Sequence, residues 1–145
     1  MEDIKEQVIN YLSKRKFITL ATSSINGEPL THPVAYVNNG ANVFISTNKK
    51  SRKVKNIIQN PKVAYSVYDQ TENLDEIRSI QMEGKATLIE EQKEIIEITK
   101  KLHKKFPFMV DIPIDSDTII IKITPKTCFF SDYNKSFGNI EKIDF

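Results

Sequence analysis

Five cations, Lys49, Lys50, Arg52, Lys53 and Lys55, fall within seven consecutive positions of the stretch ISTNKKSRKVKNIIQNP at residues 45–61, and no acid interrupts them. The residues after Ser51 carry a helical pattern, with Val54, Ile57 and Ile58 as its apolar positions and Asn60-Pro61 as its stop. A cation at a helix N-terminus is repelled by the helix dipole at a cost of about 0.3–1 kcal/mol. A bound anion reverses the sign of that interaction. The free N–H groups of the first turn, the hydroxyls of Thr47 and Ser51 and the planar Arg52 guanidinium would then form a phosphate site. Two other readings compete: a solvated basic face with no ligand, and a nucleic-acid patch. The second lacks nearby aromatic side chains for base stacking. Common phosphate loops do not explain the cluster, since neither G-x-x-x-x-G-K-[ST] nor G-x-G-x-x-G occurs and the four glycines are isolated.

Other reactive side chains are sparse. His32 and His103 have no partners at metal-ligand spacing; His32 is a candidate for touching a bound ligand, and His103 reads as surface. Cys128 is the only cysteine, so no disulfide or cysteine zinc site forms within one chain, and its apolar strand suggests a small core residue. Tyr36, Tyr65 and Tyr68 lie on expected strands and read mainly as packing. No Ser-His-Asp set can be argued from spacing.

The elements that must position these residues follow from periodicity. Ile4, Val8, Ile9 and Leu12 predict a helix over 3–14, and EEQKEIIEITKKLHKKF from Glu90 predicts another, acids first and lysines last as the dipole favours. KFITLATS (16–23), PLTHPVAYV (29–37) and NVFIST (42–47) read as strands joined by Asn26-Gly27 and Asn39-Gly40 turns, which predicts an antiparallel meander. KVAYSVY (62–68), IRSIQMEGKATLI (77–89) and DTIIIKITPKTCFF (117–130) complete six strands, with Pro125 marking a bend or a sheet edge. The tail from Ser131 has no clear period. Strands do not alternate with helices, so the expected class is mainly β, a small antiparallel barrel with peripheral helices.

The 145 residues, 39% apolar and 28% charged, suit one globular domain over 1–145. No run approaches a membrane span, and the acidic N-terminus is unlike a secretory signal, so a cytoplasmic location is the expectation. A net charge of +2 with only three arginines argues against nucleic acid as a partner.

The segment STNKKSRKVKN, followed by a short helix, Asn-Pro and a strand, resembles the flavin-phosphate segment of the pyridoxamine 5′-phosphate oxidase-like FMN-binding split barrels. Ser46, Thr47, Ser51, Arg52 and Lys53 match that family's pattern in order and spacing. FITLATSSINGEPLTHPVAYV resembles its first hairpin and IRSIQMEGKATLI its later long strand. The resemblance implies a six-stranded antiparallel split β-barrel that binds FMN, its phosphate held by Thr47, Ser51, Arg52 and Lys53. It places His32, Pro33, Val34 and Ala35 along the flavin ring, with Tyr36 a candidate for lining the ring pocket. Ser79 falls where the family often has a Gln that touches flavin across a homodimer interface, and Gln81 could substitute. The family's substrate-phosphate clamp is missing: its Lys falls on Tyr36 or Val37, its Arg-Leu-His near Ser136–Gly138. What the resemblance implies is therefore a homodimeric FMN-dependent oxidoreductase acting on an unidentified small molecule, with NADH or NADPH as candidate electron donor. The alternative is a non-catalytic flavin, haem or deazaflavin binding or electron-transfer protein of the same fold.

Overall fold

A computed structural model describes residues 2–145. The first helix, α1 (Ile4–Ser13), is capped by Asp3, whose carboxylate accepts from the Glu6 N–H at 2.8 Å, and it buries Val8, Tyr11 and Leu12. Two hairpins follow: β1 (Phe17–Ser23) with β2 (Pro29–Ala35), then β3 (Val37–Asn39) with β4 (Asn42–Asn48). Gly27 and Gly40 hold the positive φ angles, 83° and 59°, that these tight turns require. The chain continues through α2 (Arg52–Gln59), β5 (Lys62–Tyr68), β6 (Arg78–Leu88), α3 (Gln92–Lys105), a 3₁₀ turn (Pro107–Asp111), β7 (Thr118–Asp132) and β8 (Ile140–Asp144).

Every ladder is antiparallel, in the order β2-β1-β5-β6-β7-β4-β3, with β8 also on β7. The first and last strands of that order, β2 and β3, are separated in sequence by Tyr36 alone. Consecutive Cα atoms lie about 3.8 Å apart, so the two ends of the sheet must meet and the sheet must curl into a barrel. Closure is incomplete. β3 pairs with β4 only as far as Phe44, leaving Ile45–Asn48 without a strand partner on that side. The split lies there, bordered by β2 and the second half of β4.

The expected split-barrel class is thus found, with a different wiring from the meander. β2 does not pair with β4; β4 crosses to β7 instead. The run 29–37 is interrupted at Tyr36, which is fully buried, donates its phenol to the Leu12 carbonyl and its N–H to the Lys16 carbonyl. The tail supplies an eighth strand, β8, whose Ile143 is its single buried side chain, too short a signal for periodicity to show. Pro125 falls between the β7 residues that pair with β4 and those that pair with β8, where no ladder partner on that edge needs its missing N–H.

Two apolar clusters share the strands. Leu20, Ile45, Ile80, Met82, Ile121 and Ile123 fill the barrel with Leu12 of α1 and Val54 and Ile57 of α2. On the outer face, Val37, Phe44 and Ile120 pack under Ile98 and Leu102 of α3. β4 and β7 therefore bury both faces, which is why their sequences read as nearly continuous apolar runs.

Candidate functional site

The cation cluster sits where β4 leaves the split and turns into α2. Asn48 shapes the turn: its side chain accepts from the Lys50 N–H at 2.8 Å and its carbonyl from the Ser51 N–H at 3.1 Å. Ser51 is the N-cap in extended conformation, yet its side chain caps nothing, and its buried hydroxyl has no hydrogen-bond partner. No acid lies in the first turn. The leading N–H groups of the helix are therefore left without a side-chain acceptor from the cap.

The five cations divide into two groups. Lys49 and Lys50 reach the Asp117 carboxylate at 3.3 and 3.2 Å, and the Lys49 N–H donates to the Asp117 carbonyl at 2.7 Å. Arg52, Lys53 and Lys55 form no ion pair among the described residues. Burial lowers the Lys53 pKa. His32, from β2 across the split, also has a lowered pKa, from burial first and then from Lys53 and Arg52. The fold thus gathers His32, Arg52 and Lys53 around an uncapped helix start bearing an unpartnered hydroxyl. Such an arrangement has the donors and the field to hold a dianion.

The other expected residues divide by strand parity. Thr47 shares the barrel face with Val43 and Ile45, whereas Ser46 shares the outer face with Phe44. Val34 packs on the barrel core and Ala35 on the outer cluster, while Pro33 is exposed on the end strand β2. Ser79 is buried opposite Tyr68 and Ser131, and Gln81 is exposed opposite Ser66 and Phe129. Both belong to the outward face of β6, which β1 and β5 separate from β2, so one chain does not bring them to the cations.

Two expectations need correction. Tyr36 lines no ligand pocket, because its ring is sealed in the core at the corner that closes the sheet. His103 is half-buried and lines a cavity beneath α3 rather than standing free on the surface. Asp117 was missed altogether. It reaches Lys49 because β4 pairs with β7 with Asn48 opposite Thr118, a pairing that local signals do not reveal. Among the described residues no group of three or more His, Cys, Asp or Glu is placed to hold a metal, and no helix is long and apolar enough to cross a membrane.

The lowered pKa of His32, set first by burial and then by Lys53 and Arg52, gives a direct probe of the anion site. Neighbouring cations disfavour imidazolium, so a bound dianion should raise the His32 pKa, and by linkage anion affinity should rise as the pH falls through that titration. Ring-carbon NMR titrations with and without inorganic phosphate check this. The chain has only two histidines, so His103→Gln completes the assignment. An unchanged His32 titration in saturating phosphate would place the anion elsewhere.

A curled antiparallel sheet, split beside a cationic helix start and flanked by three helices, defines a split-barrel protein. Residues 4–132 match the family described as pyridoxamine 5′-phosphate oxidase, and the chain belongs to that family. No curated protein matches the sequence. Among solved structures, the chain is similar to a haem-binding protein from Mycobacterium smegmatis at 14% identity and a TM-score of 0.82, covering 99% of this chain and 59% of that one. The chain thus spans about three fifths of that relative's length. It is also similar to HutZ, the haem storage protein of Vibrio cholerae, at 18% identity and a TM-score of 0.73, covering 86% of this chain and 92% of that one. General Stress Protein 26 of Bacillus anthracis aligns at 19% identity with a TM-score of 0.72, covering 98% of both chains. These likenesses establish the shared fold.

Proposed function

We propose that the chain binds FMN at the split and serves, as a homodimer, as an FMN-dependent oxidoreductase for a small molecule. One observation carries the reading: Arg52 and Lys53 lack acidic partners at a helix start whose cap hydroxyl, on Ser51, is also unpartnered. Those groups fit a phosphate monoester, and Thr47 and His32 flank them. Bound FMN would supply hydride transfer, while the protein supplies placement and electrostatics. Ser79 and Gln81 would reach that flavin only from a second copy, since their face of β6 points away from the cations of their own chain. The missing substrate clamp favours a substrate without a phosphate of its own.

Haem is the second reading, favoured by the two haem-handling proteins of the same fold. Its propionates are anions too, so the same cations could receive them. His32, beside those cations, would be a candidate iron ligand. The two readings separate on one spectrum. The protein purified without added cofactor, or reconstituted with FMN, is expected to show the two visible bands of oxidised flavin, and no Soret band is expected on adding haemin. A Soret band with no flavin uptake would establish the haem reading, and uptake of neither would sink both.

A further inference from the structure

We infer that the cavity beneath α3 is a second binding site, for an uncharged molecule of one or two rings. It adjoins the anion site, sharing Ser46 and Thr47 at the end of β4, but most of its lining is apolar and belongs to α3, β7 and the segment between them. The cavity is about 330 Å³, at the lower end of small-molecule sites. It is lined by the end of β4, the start of β7, α3 and the segment between α3 and β7. Ile95, Leu102, Met109, Ile114 and Ile119 are among its apolar lining residues, and His103 is the one ionisable side chain lining it. Two of its threonines already use their hydroxyls within the chain: Thr99 donates to the Ile95 carbonyl at 2.7 Å and Thr118 to Asp115 at 3.4 Å. A mostly apolar chamber with one imidazole and the hydroxyls of Ser46 and Thr47 can hold a flat apolar body and orient a hydrogen-bonding group on it. It offers no group to neutralise a charge that is brought in without a counterion, and burying one there would be costly.

The outer wall has features of an entrance. Phe108, Val110, Ile112 and Ile114 are 65%, 61%, 51% and 65% exposed, so this segment presents apolar side chains to water. Its end is fastened at Asp117, which binds Lys49 and Lys50 of the cation turn. A ligand entering here would cover apolar surface that is now solvated, which favours binding.

Indole is a suitable probe because the chain contains no tryptophan, so its emission can be excited without protein background. The expected result is a saturable blue shift of indole emission with a dissociation constant of about 1 mM or tighter. Tryptamine, the same ring with a cationic arm, should bind at least about tenfold more weakly. Ile114→Glu, at an exposed position that leaves the fold intact, should weaken indole at least about tenfold as well. His103→Leu should preserve binding of the ring but erase the preference for indole over the N-methylated analogue. No saturable shift, equal binding of tryptamine, or an Ile114→Glu variant that binds indole normally would each overturn the assignment. Because FMN uptake is read separately in the visible, failure here leaves the flavin reading untouched, and the reverse.

Discussion

Changing Arg52 and Lys53 together to Ala is expected to lower FMN affinity by about two orders of magnitude with no loss of fold. Each is positioned to donate charge-assisted hydrogen bonds, worth about 1.5–3 kcal/mol apiece, and about 1.4 kcal/mol is a factor of ten in affinity. Two such bonds, reduced for the exposure of Arg52, give the hundredfold figure. Arg52 is exposed and Lys53 half-buried, and the packing of α2 rests on Val54 and Ile57, so the helix should survive. Lys49 and Lys50 furnish the internal control. Asp117 already neutralises part of their field, so Lys49→Ala/Lys50→Ala should weaken FMN by less than about fivefold. Riboflavin supplies the chemical control, because it carries the ring without the phosphate. Its weaker binding should be the same in wild type and in Arg52→Ala/Lys53→Ala. Fluorescence-quenching titrations of all three proteins with both flavins read every comparison. Equal losses in the two double variants would mean a diffuse basic field and no built site.

This subdivision of the cluster shows where sequence reasoning reached its limit. The conflict between five cations and a helix dipole is local, so it was legible before any fold was known. The partner that resolves part of it, Asp117, lies 67 positions after Lys50 in the chain and arrives only through the β4–β7 ladder. The same limit explains the strand wiring. Asn-Gly turns specify that β1 pairs with β2 and β3 with β4, because the turn itself sets the pairing. Nothing local specifies which hairpin lies beside which. Tyr36 sits between the end of one ladder and the start of the next, and in the sequence it looks like one more alternating strand residue. Strand parity was legible along β6, where Ile80, Met82 and Ala86 are buried as the alternation predicts. The burial of Ser79 on the opposite face was not, since it depends on its neighbours Tyr68 and Ser131.

The corner at Tyr36 also sets the second large expectation. Tyr36→Ala should cost about 3–5 kcal/mol, as for other large-to-small changes of buried aromatics, and lower the melting temperature by about 6–20 °C at roughly 2–4 °C per kcal/mol for a domain of this size. The ring is fully buried among residues of the barrel core, and the Lys105 ammonium lies 4.0 Å from its centroid. Tyr36→Phe keeps the ring and that stacking but removes the hydroxyl that donates to the Leu12 carbonyl. It should cost only about 0.5–1.5 kcal/mol, because the Arg15 N–H still donates to that carbonyl at 3.3 Å. The position does more than fill space. It fixes β2 against β3, and through them the width of the split between His32 and the start of α2. The Ala variant, studied at a temperature where it is still folded, should therefore lose FMN affinity as well as stability. The Phe variant should bind FMN within about twofold of wild type, the scale of a change that leaves this geometry in place. Calorimetry and FMN titration on the same samples decide the matter. If Tyr36→Ala loses stability but binds FMN normally, the corner is packing alone and the split is positioned by α2 and β4 without it.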